Sequence, residues 1–368
     1  MVAGPPFRAE VIGSFLRPRS LKDAATAIAA GKATAADYQS VLEREIERVV
    51  AKQEALGLQV ATDGEFGRTS WFGFFFEGLD GFRLEPSLFR FRDSEGGSFE
   101  WPTCVAGGKI RRRAPITLAE YRRLKAFTKT ALPKATLPTP SAFHFFRFTQ
   151  AFDPAIYDQG SYFDDLVAVY RRELAELAEA GCRYVQMDEV PVAMLCDPLV
   201  REQTRAEGGD PDRLLDLYVG VMRRILDDRP VGVTVGMHLC RGNFRSRWMA
   251  TGGYEPVAAR LFNDFPVDVY FLEYDSQRAG DFSPLRHVPG DRHVVLGLVS
   301  SKTPALERRD DLRRRIDEAA KFVDLERLSL SSQCGFASVA GGNSIDEDTQ
   351  WAKLGLIVDT ARAVWGTA

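Results

Sequence analysis

Cysteine and histidine are scarce in this sequence, which has five cysteines and four histidines among 368 residues. The cysteines are odd in number and widely spaced, which argues against the disulfide framework of a small secreted protein. The N-terminal stretch has no basic region followed by an apolar core, and no later apolar run is long enough to span a bilayer. We therefore expect a cytoplasmic protein without a membrane partner.

A large excess of charge of either sign is also missing. The net charge of −3, with both signs well mixed, leaves no broad basic face for a phosphate backbone. Hydrophobic residues at 45% and charged residues at 27% are close to the averages of globular proteins. We expect small-molecule substrates and no nucleic-acid partner, and the sequence leaves open whether the chain forms a homo-oligomer.

The sequence does contain a repeated unit of a short apolar run, a polar loop and an amphipathic segment. Eight candidate strands cover residues 10–15, 59–66, 134–140, 184–190, 231–239, 267–273, 293–300 and 327–334. Helical spacing of apolar residues predicts helices over 36–57, 163–181, 212–228, 255–265, 308–323 and 346–365. Strands that alternate with helices indicate parallel pairing and right-handed crossovers.

Eight such units favour a (β/α)8 TIM barrel. No G-x-G-x-x-G motif follows the first strand to support an open, doubly wound sheet. The stretch from about 70 to 130 interrupts the pattern and predicts an insertion between strands 2 and 3, with a hairpin over 89–101. Because no linker or internal repeat is evident, we interpret residues 1–368 as a single barrel domain.

TIM-barrel enzymes build their sites at the carboxyl ends of the strands. Here those positions carry Ser14, Asp63, Glu65, Asp188, Glu189, His238, Cys240, Glu273, Lys302 and Cys334. We interpret Asp63 as a helix cap and Glu189 as a structural residue. Glu65 and Asp188 are predicted to face the barrel mouth and to bind a cationic group.

Four of these side chains are predicted to converge on a metal ion: His238, Cys240, Glu273 and Cys334. His238 and Cys240 are two residues apart at a strand end, so they point to the same side. A nitrogen, a carboxylate oxygen and two thiolates form a donor set suited to Zn²⁺, and soft thiolates also accept iron. The sequence therefore predicts a zinc site, with Fe²⁺ as the alternative.

One further histidine has two interpretations. His144 lies among the aromatic residues of the segment SAFHFF. It is either a hydrogen-bonded core histidine or a substrate contact.

The motifs at the strand ends, taken together and in order, resemble those of the cobalamin-independent methionine synthase superfamily. They are VIGSFLRP, VATDGEFGR, YVQMDEVPVA, GMHLCRGNF, YFLEYDS, VVLGLVSSKTP and LSSQCGFAS. The resemblance covers most of the chain and is to the short members that match the catalytic C-terminal barrel. It implies a zinc site that binds a substrate thiol as the thiolate, with ligands at His238, Cys240, Glu273 and Cys334.

The resemblance also implies how an amino-acid substrate is held. Ser14 corresponds to the residue that binds the carboxylate, and Glu65 and Asp188 to those that bind the ammonium group. The strand that carries a proton-donating histidine in the long enzymes ends here in VSSKTP, which offers Ser300, Ser301 and Lys302 instead. Of these we take Lys302 as the candidate catalytic residue. The aromatic segment 138–148 also departs from the pattern, so we expect an unusual second substrate.

The leading hypothesis is metal-dependent methyl or alkyl transfer to a thiol such as homocysteine, and an epoxide–thiol alkyltransferase is a variant of it. A second hypothesis is a mononuclear non-heme iron enzyme that uses the same site for oxidative chemistry on a non-thiol small molecule. A third is a non-catalytic binding protein that keeps the barrel. All four candidate ligands are present, which ranks the third hypothesis last.

Overall fold

The computed structural model describes residues 4–93 and 95–368. Its strands are β1 (Val60–Ala61), β2 (Leu79–Pro86), β3 (Phe91–Arg92), β4 (Ser98–Phe99), β5 (Pro102–Arg112), β6 (Leu132–Pro133), β7 (Ala135–Pro138), β8 (Tyr184–Glu189), β9 (Thr234–Leu239), β10 (Val269–Glu273), β11 (His293–Val299) and β12 (Leu328–Ser332). Its helices are α1 (Arg19–Ala29), α2 (Ala35–Leu56), α3 (Gly73–Glu77), α4 (Leu118–Phe127), α5 (Gln159–Glu179), α6 (Pro191–Met194), α7 (Pro198–Ala206), α8 (Pro211–Leu226), α9 (Ala258–Asp264), α10 (Arg309–Ala319) and α11 (Glu347–Trp365).

Parallel pairing and individual hydrogen bonds connect eight strand positions around a TIM barrel. Six strands form one parallel sheet in the order β12, β11, β10, β9, β8, β7. β6, which leads directly into β7, pairs in parallel with β1. On the other side, Ala9 forms a parallel bridge to Leu330 of β12, and the Phe15 N–H donates to the Gly64 carbonyl at 3.0 Å. The predicted (β/α)8 fold is confirmed.

The first two predicted strands are much shorter than expected. Of residues 10–15 and 59–66, only Val60 and Ala61 form a regular strand. Side chains replace ladder hydrogen bonds in this part of the ring: the Thr62 hydroxyl donates to the Gly13 carbonyl at 2.6 Å. The amide of Gln53, from α2, donates to the Thr62 carbonyl at 2.8 Å. The pattern of apolar residues does not reveal where side-chain hydrogen bonds take the place of ladder hydrogen bonds.

The predicted insertion between strands 2 and 3 is present, but it is shorter than residues 70–130. Its main feature is a long antiparallel hairpin of β2 and β5. A small hairpin of β3 and β4 lies inside it, within the predicted range 89–101. α4 precedes β6 and supplies the helix that joins strands 2 and 3, so the inserted hairpin ends at Arg112.

The predicted helices are confirmed, with ends fixed by local capping. α2 begins with a capping box in which the Thr34 hydroxyl accepts from the Asp37 N–H, and it ends at Gly57 in the left-handed conformation, with φ of 96°. α5 begins with a similar box between Asp158 and Ser161. Across residues 4–93 and 95–368, none of the helices has the length and apolar character needed to cross a membrane.

Candidate metal centre

Two strand ends bring three ligand side chains together. His238 lies in β9 and Cys240 follows that strand, while Cys334 lies two residues beyond the end of β12. One ligand atom from each of the three residues lies within 4.8 Å of the others. The two Sγ atoms are 3.6 Å apart. The structure brings three of the four predicted ligands together, and their binding of a metal stays a prediction.

The unpaired atoms in this cluster fit a metal ion. His238 is 3% exposed, and neither of its ring nitrogens has a hydrogen-bond partner in the described structure. A buried polar atom without a partner is costly, and a metal ion would satisfy one nitrogen. The hydrogen bond to Cys334 and burial raise the pKa of the Cys240 thiol well above its ordinary value. A bound cation would favour the thiolate form of Cys240.

Glu273 lies at the end of β10, beside the cluster, but its carboxylate is engaged elsewhere. One oxygen accepts from the Arg241 backbone N–H at 2.9 Å. The other accepts from Arg278 at 3.0 Å and lies 3.4 Å from Lys302 Nζ. Burial alone would raise the pKa of Glu273, but Lys302, Arg241 and Arg278 together lower it to about 2. Glu273 is thus a fixed anion whose role as fourth ligand stays a prediction.

The same geometry accounts for Lys302. Its ammonium group is buried against Glu273, and Lys302 is not among the residues that line the cavity at the metal cluster. The structure therefore places this predicted catalytic residue next to Glu273 and outside the lining of that cavity.

The predicted amino-acid clamp and the metal cluster share one cavity. Ser14, Glu65 and Asp188 line this cavity together with His238, Cys240 and Cys334, and we call it the metal pocket. Glu65 Oε1 accepts from the Thr136 hydroxyl at 2.9 Å, and Asp188 Oδ1 accepts from the Gln186 amide at 2.7 Å. Burial raises the pKa of Asp188 to about 6. The clamp side chains are therefore held in place before any substrate binds.

Glu65 is positioned by a tight turn. Its φ of 56° is left-handed, which is uncommon for a residue other than glycine. Asp63 Oδ1 accepts from the Glu65 N–H at 2.9 Å. The interpretation of Asp63 as a helix cap is wrong, because it caps this turn and the next helix, α3, begins only at Gly73. Glu189 behaves as predicted for a structural residue, since its carboxylate accepts from the Val192 N–H at 2.9 Å.

His144 does not join the metal pocket. Its Nδ1 lies 3.0 Å from the Tyr218 hydroxyl, and its ring packs beside those of Phe152, Tyr162 and Phe163. Burial lowers the pKa of His144 to about 3, so the ring is neutral. Of its two interpretations, the geometry favours a hydrogen-bonded core histidine.

Sequence reasoning missed several residues that line the metal pocket. They are Ile12, Trp71, Phe91, Val190, Gly242, Asn243, Met249, Gly335 and Ser338. Trp71 and Phe91 come from the insertion, which the strand pattern did not place at the mouth. Asn243 donates to the Gly335 carbonyl at 3.1 Å and so joins the loops that follow β9 and β12. The motif CRGNF indicated a functional loop after β9, but it did not show where the Asn243 side chain points.

Residues 7–362 match the family described as "Cobalamin-independent synthase, Catalytic domain". The chain belongs to this family. It is 42% identical to the Bacillus subtilis protein described as "Uncharacterized protein YxjH", over 98% of this chain and 95% of that protein. It is 23% identical to the methionine synthase of Pyrococcus abyssi, over 98% of this chain and 93% of that protein.

A solved structure agrees with this assignment. A Listeria monocytogenes protein described as a candidate vitamin-B12-independent methionine synthase is 29% identical, with a TM-score of 0.77 and 99% of both chains covered. The family is one of methionine-synthase-like methyltransferases, and membership supports an enzyme with small-molecule substrates. Nothing in these relatives supports the iron alternative.

Proposed function

We propose that this enzyme transfers a methyl group to the thiol of an amino acid such as homocysteine. The observation that carries the proposal is that two kinds of group share one cavity. The His238, Cys240 and Cys334 cluster lines this cavity together with the carboxylates of Glu65 and Asp188. An amino acid with a thiol side chain has both the sulfur and the ammonium group that this arrangement would bind.

Zinc is the metal that best suits the cluster. Two thiolates and an imidazole are common ligands of zinc, whereas mononuclear iron oxygenases typically use two histidines and one carboxylate. When bound, zinc lowers the pKa of a thiol and so supplies a thiolate at neutral pH. His238, Cys240 and Cys334 would hold it, and Glu273 is the proposed fourth ligand. The ion pairs of Glu273 with Lys302 and Arg278 would have to break before its carboxylate could bind zinc.

The protein side chains would orient the amino acid for transfer. Glu65 and Asp188 would bind the ammonium group by charge-assisted hydrogen bonds, and the Ser14 hydroxyl would donate to the carboxylate. Such positioning brings the sulfur to a fixed point in the mouth, where it meets the alkyl donor. An epoxide could replace a methyl donor there without a change in the thiol half of the site.

Metal analysis of Cys variants tests the proposal. We expect about one zinc per chain in the purified protein. Cys240→Ser and Cys334→Ser should each lose most of the metal together with homocysteine methylation, because each removes a thiolate ligand.

Cys182→Ala is the matched control for these variants. Cys182 is buried, but it precedes β8 and so lies at the opposite end of that strand from Asp188. This variant should keep both metal and activity. Full methyl transfer by metal-free protein would refute the proposed function.

A further inference from the structure

A second cavity opens beside the metal pocket, and its walls are aromatic. It has a volume of about 240 Å³ and is lined by six aromatic side chains: Trp71, Phe72, Phe76, Phe91, Trp101 and Phe244. We call it the aromatic pocket. Trp71, Phe91, Asn243 and Met249 line both cavities, so the aromatic pocket adjoins the metal pocket.

The rings form a continuous wall. The Trp101 ring lies 5.7 Å from both Phe72 and Phe91, at steep angles of 85° and 60°. Phe91 in turn lies 5.2 Å from Phe244. Several aromatic rings around one cavity are the kind of lining that binds quaternary ammonium groups elsewhere.

The charge of the lining also favours a cation. Among the described residues that line the aromatic pocket, Glu77 is the sole ionisable one, and it is exposed. The described lining of the metal pocket likewise includes neither lysine nor arginine. An anionic donor with several carboxylates would therefore find no positively charged side chain in the lining of either cavity. A cationic donor would find aromatic rings and carboxyl groups there.

We propose that the aromatic pocket binds a methyl-onium donor, a small sulfonium or quaternary ammonium compound, with its methyl group directed at the metal pocket. This inference rests on the proposed function and names the class of its second substrate.

The chemistry needs no acid in the aromatic pocket. The thiol proton is released to water before transfer, and the thiolate sulfur then attacks the methyl carbon of the donor. A new S–CH3 bond forms while the bond from the methyl carbon to the onium atom breaks. The electron pair of that bond stays on the leaving atom, which departs as a neutral thioether or tertiary amine. A neutral leaving group suits a cavity whose described lining offers Glu77 at an exposed edge as its single carboxyl group.

Choline and 3,3-dimethylbutan-1-ol test the inference, because they share one shape and differ in charge. Binding to the zinc-loaded protein is measured by calorimetry and by the fluorescence of Trp71 and Trp101. We expect choline to bind at least about 10-fold more tightly than the neutral alcohol. Trp101→Leu and Phe91→Leu should abolish the preference while the alcohol still binds, which shows that the cavity is intact. Phe322→Leu, on an exposed apolar residue, should change nothing.

A transfer assay completes the test with trimethylsulfonium and homocysteine as substrates. We expect methionine and dimethyl sulfide in equal amounts. Equal binding of choline and its neutral analogue, or no dimethyl sulfide from the zinc-loaded protein, would overturn the inference.

The thiol half of the reaction is tested separately in cobalt-substituted protein. Homocysteine should produce a thiolate-to-cobalt absorption band there. If the band forms but choline has no advantage, only the donor inference fails. If the band does not form, the proposed function fails.

Discussion

At the scale of single residues, the site depends on which anions are free and which are engaged. Glu273 is surrounded by Lys302, Arg278 and the Arg241 N–H, and it stays ionised. Asp188 receives one amide hydrogen bond from Gln186, and the effect of burial on its pKa outweighs the opposing charges of His238 and Arg68. The two carboxyl groups lie at the ends of β8 and β10, on either side of β9, yet their environments shift their pKa values in opposite directions. Asp188, like Asp63, therefore changes its charge near pH 6, because burial raises the pKa of both groups.

Substrate binding should depend on pH through Asp188. Burial raises its pKa to about 6, so the ionised form that binds an ammonium group is lost as the pH falls through about 6. We expect the KM for homocysteine to rise about tenfold per pH unit below that point. Asp188→Asn should have a high KM at every pH, and a thiol without an amino group should not show the rise. A persistent acid rise in Asp188→Asn would assign it to another group.

The sequence predicted which strand-end side chains share a side, but it did not predict the ion pairs that they form. Spacing along β9 predicted that His238 and Cys240 share a side, and the structure agrees. Nothing in the order of residues revealed that Arg278, five positions after Glu273, turns back to pair with its carboxylate. The candidate ligands were thus predictable, and the ion pairs that compete for one of them were not.

At the scale of elements, regular strands were predicted from the sequence more accurately than irregular ones. β8 to β12 are buried on both faces and appear in the sequence as apolar runs, so their predicted ends differ from the observed ones by no more than a few residues. The segments around Gly13 and Gly64 use side-chain hydrogen bonds and left-handed turns, which have no hydrophobic period. These irregular segments carry Ser14 and Glu65, so the least predictable backbone holds part of the site.

The loop after β12 approaches Ser14 so closely that only glycine fits. A Cβ at Gly335 would lie 2.1 Å from Ser14 Oγ and 3.1 Å from Ser14 N. Gly335→Ala should therefore displace the hydroxyl that is proposed to bind the substrate carboxylate. We expect a KM for homocysteine about 10 to 100-fold higher, the usual cost of a hydrogen bond to a charged group.

The zinc content should distinguish this effect from a general loss of structure. Gly335→Ala should keep its metal, because the ligand side chains are unchanged. Gly290→Ala is the control, since a Cβ there meets nothing within 4 Å. An unchanged KM in Gly335→Ala would remove Ser14 from the clamp.

At the scale of the whole molecule, a buried ion pair connects strands across the barrel interior. Lys134, between β6 and β7, lies 3.3 Å from Glu10, and both side chains are 0% exposed. Lys134 also donates to the Val11 carbonyl and, at 2.8 Å, to Gln186. The Tyr184 hydroxyl donates to Glu10 at 3.0 Å. This network joins the first, third and fourth strand positions, where the first has few ladder hydrogen bonds of its own.

Removing one charge of this pair should destabilise the entire barrel. Lys134→Met leaves Glu10 buried without its cation, and burial already raises the pKa of that carboxyl. We expect the free energy of unfolding to fall by about 3 to 5 kcal/mol, measured by urea titration. The double variant Lys134→Met, Glu10→Gln should recover much of the loss, because it leaves no unpaired charge. Arg314→Met removes exposed ion pairs to Asp311 and Glu318 and should cost far less, because water screens them. If Lys134→Met is no less stable than Arg314→Met, the interior pair does not hold the irregular first strand in the ring.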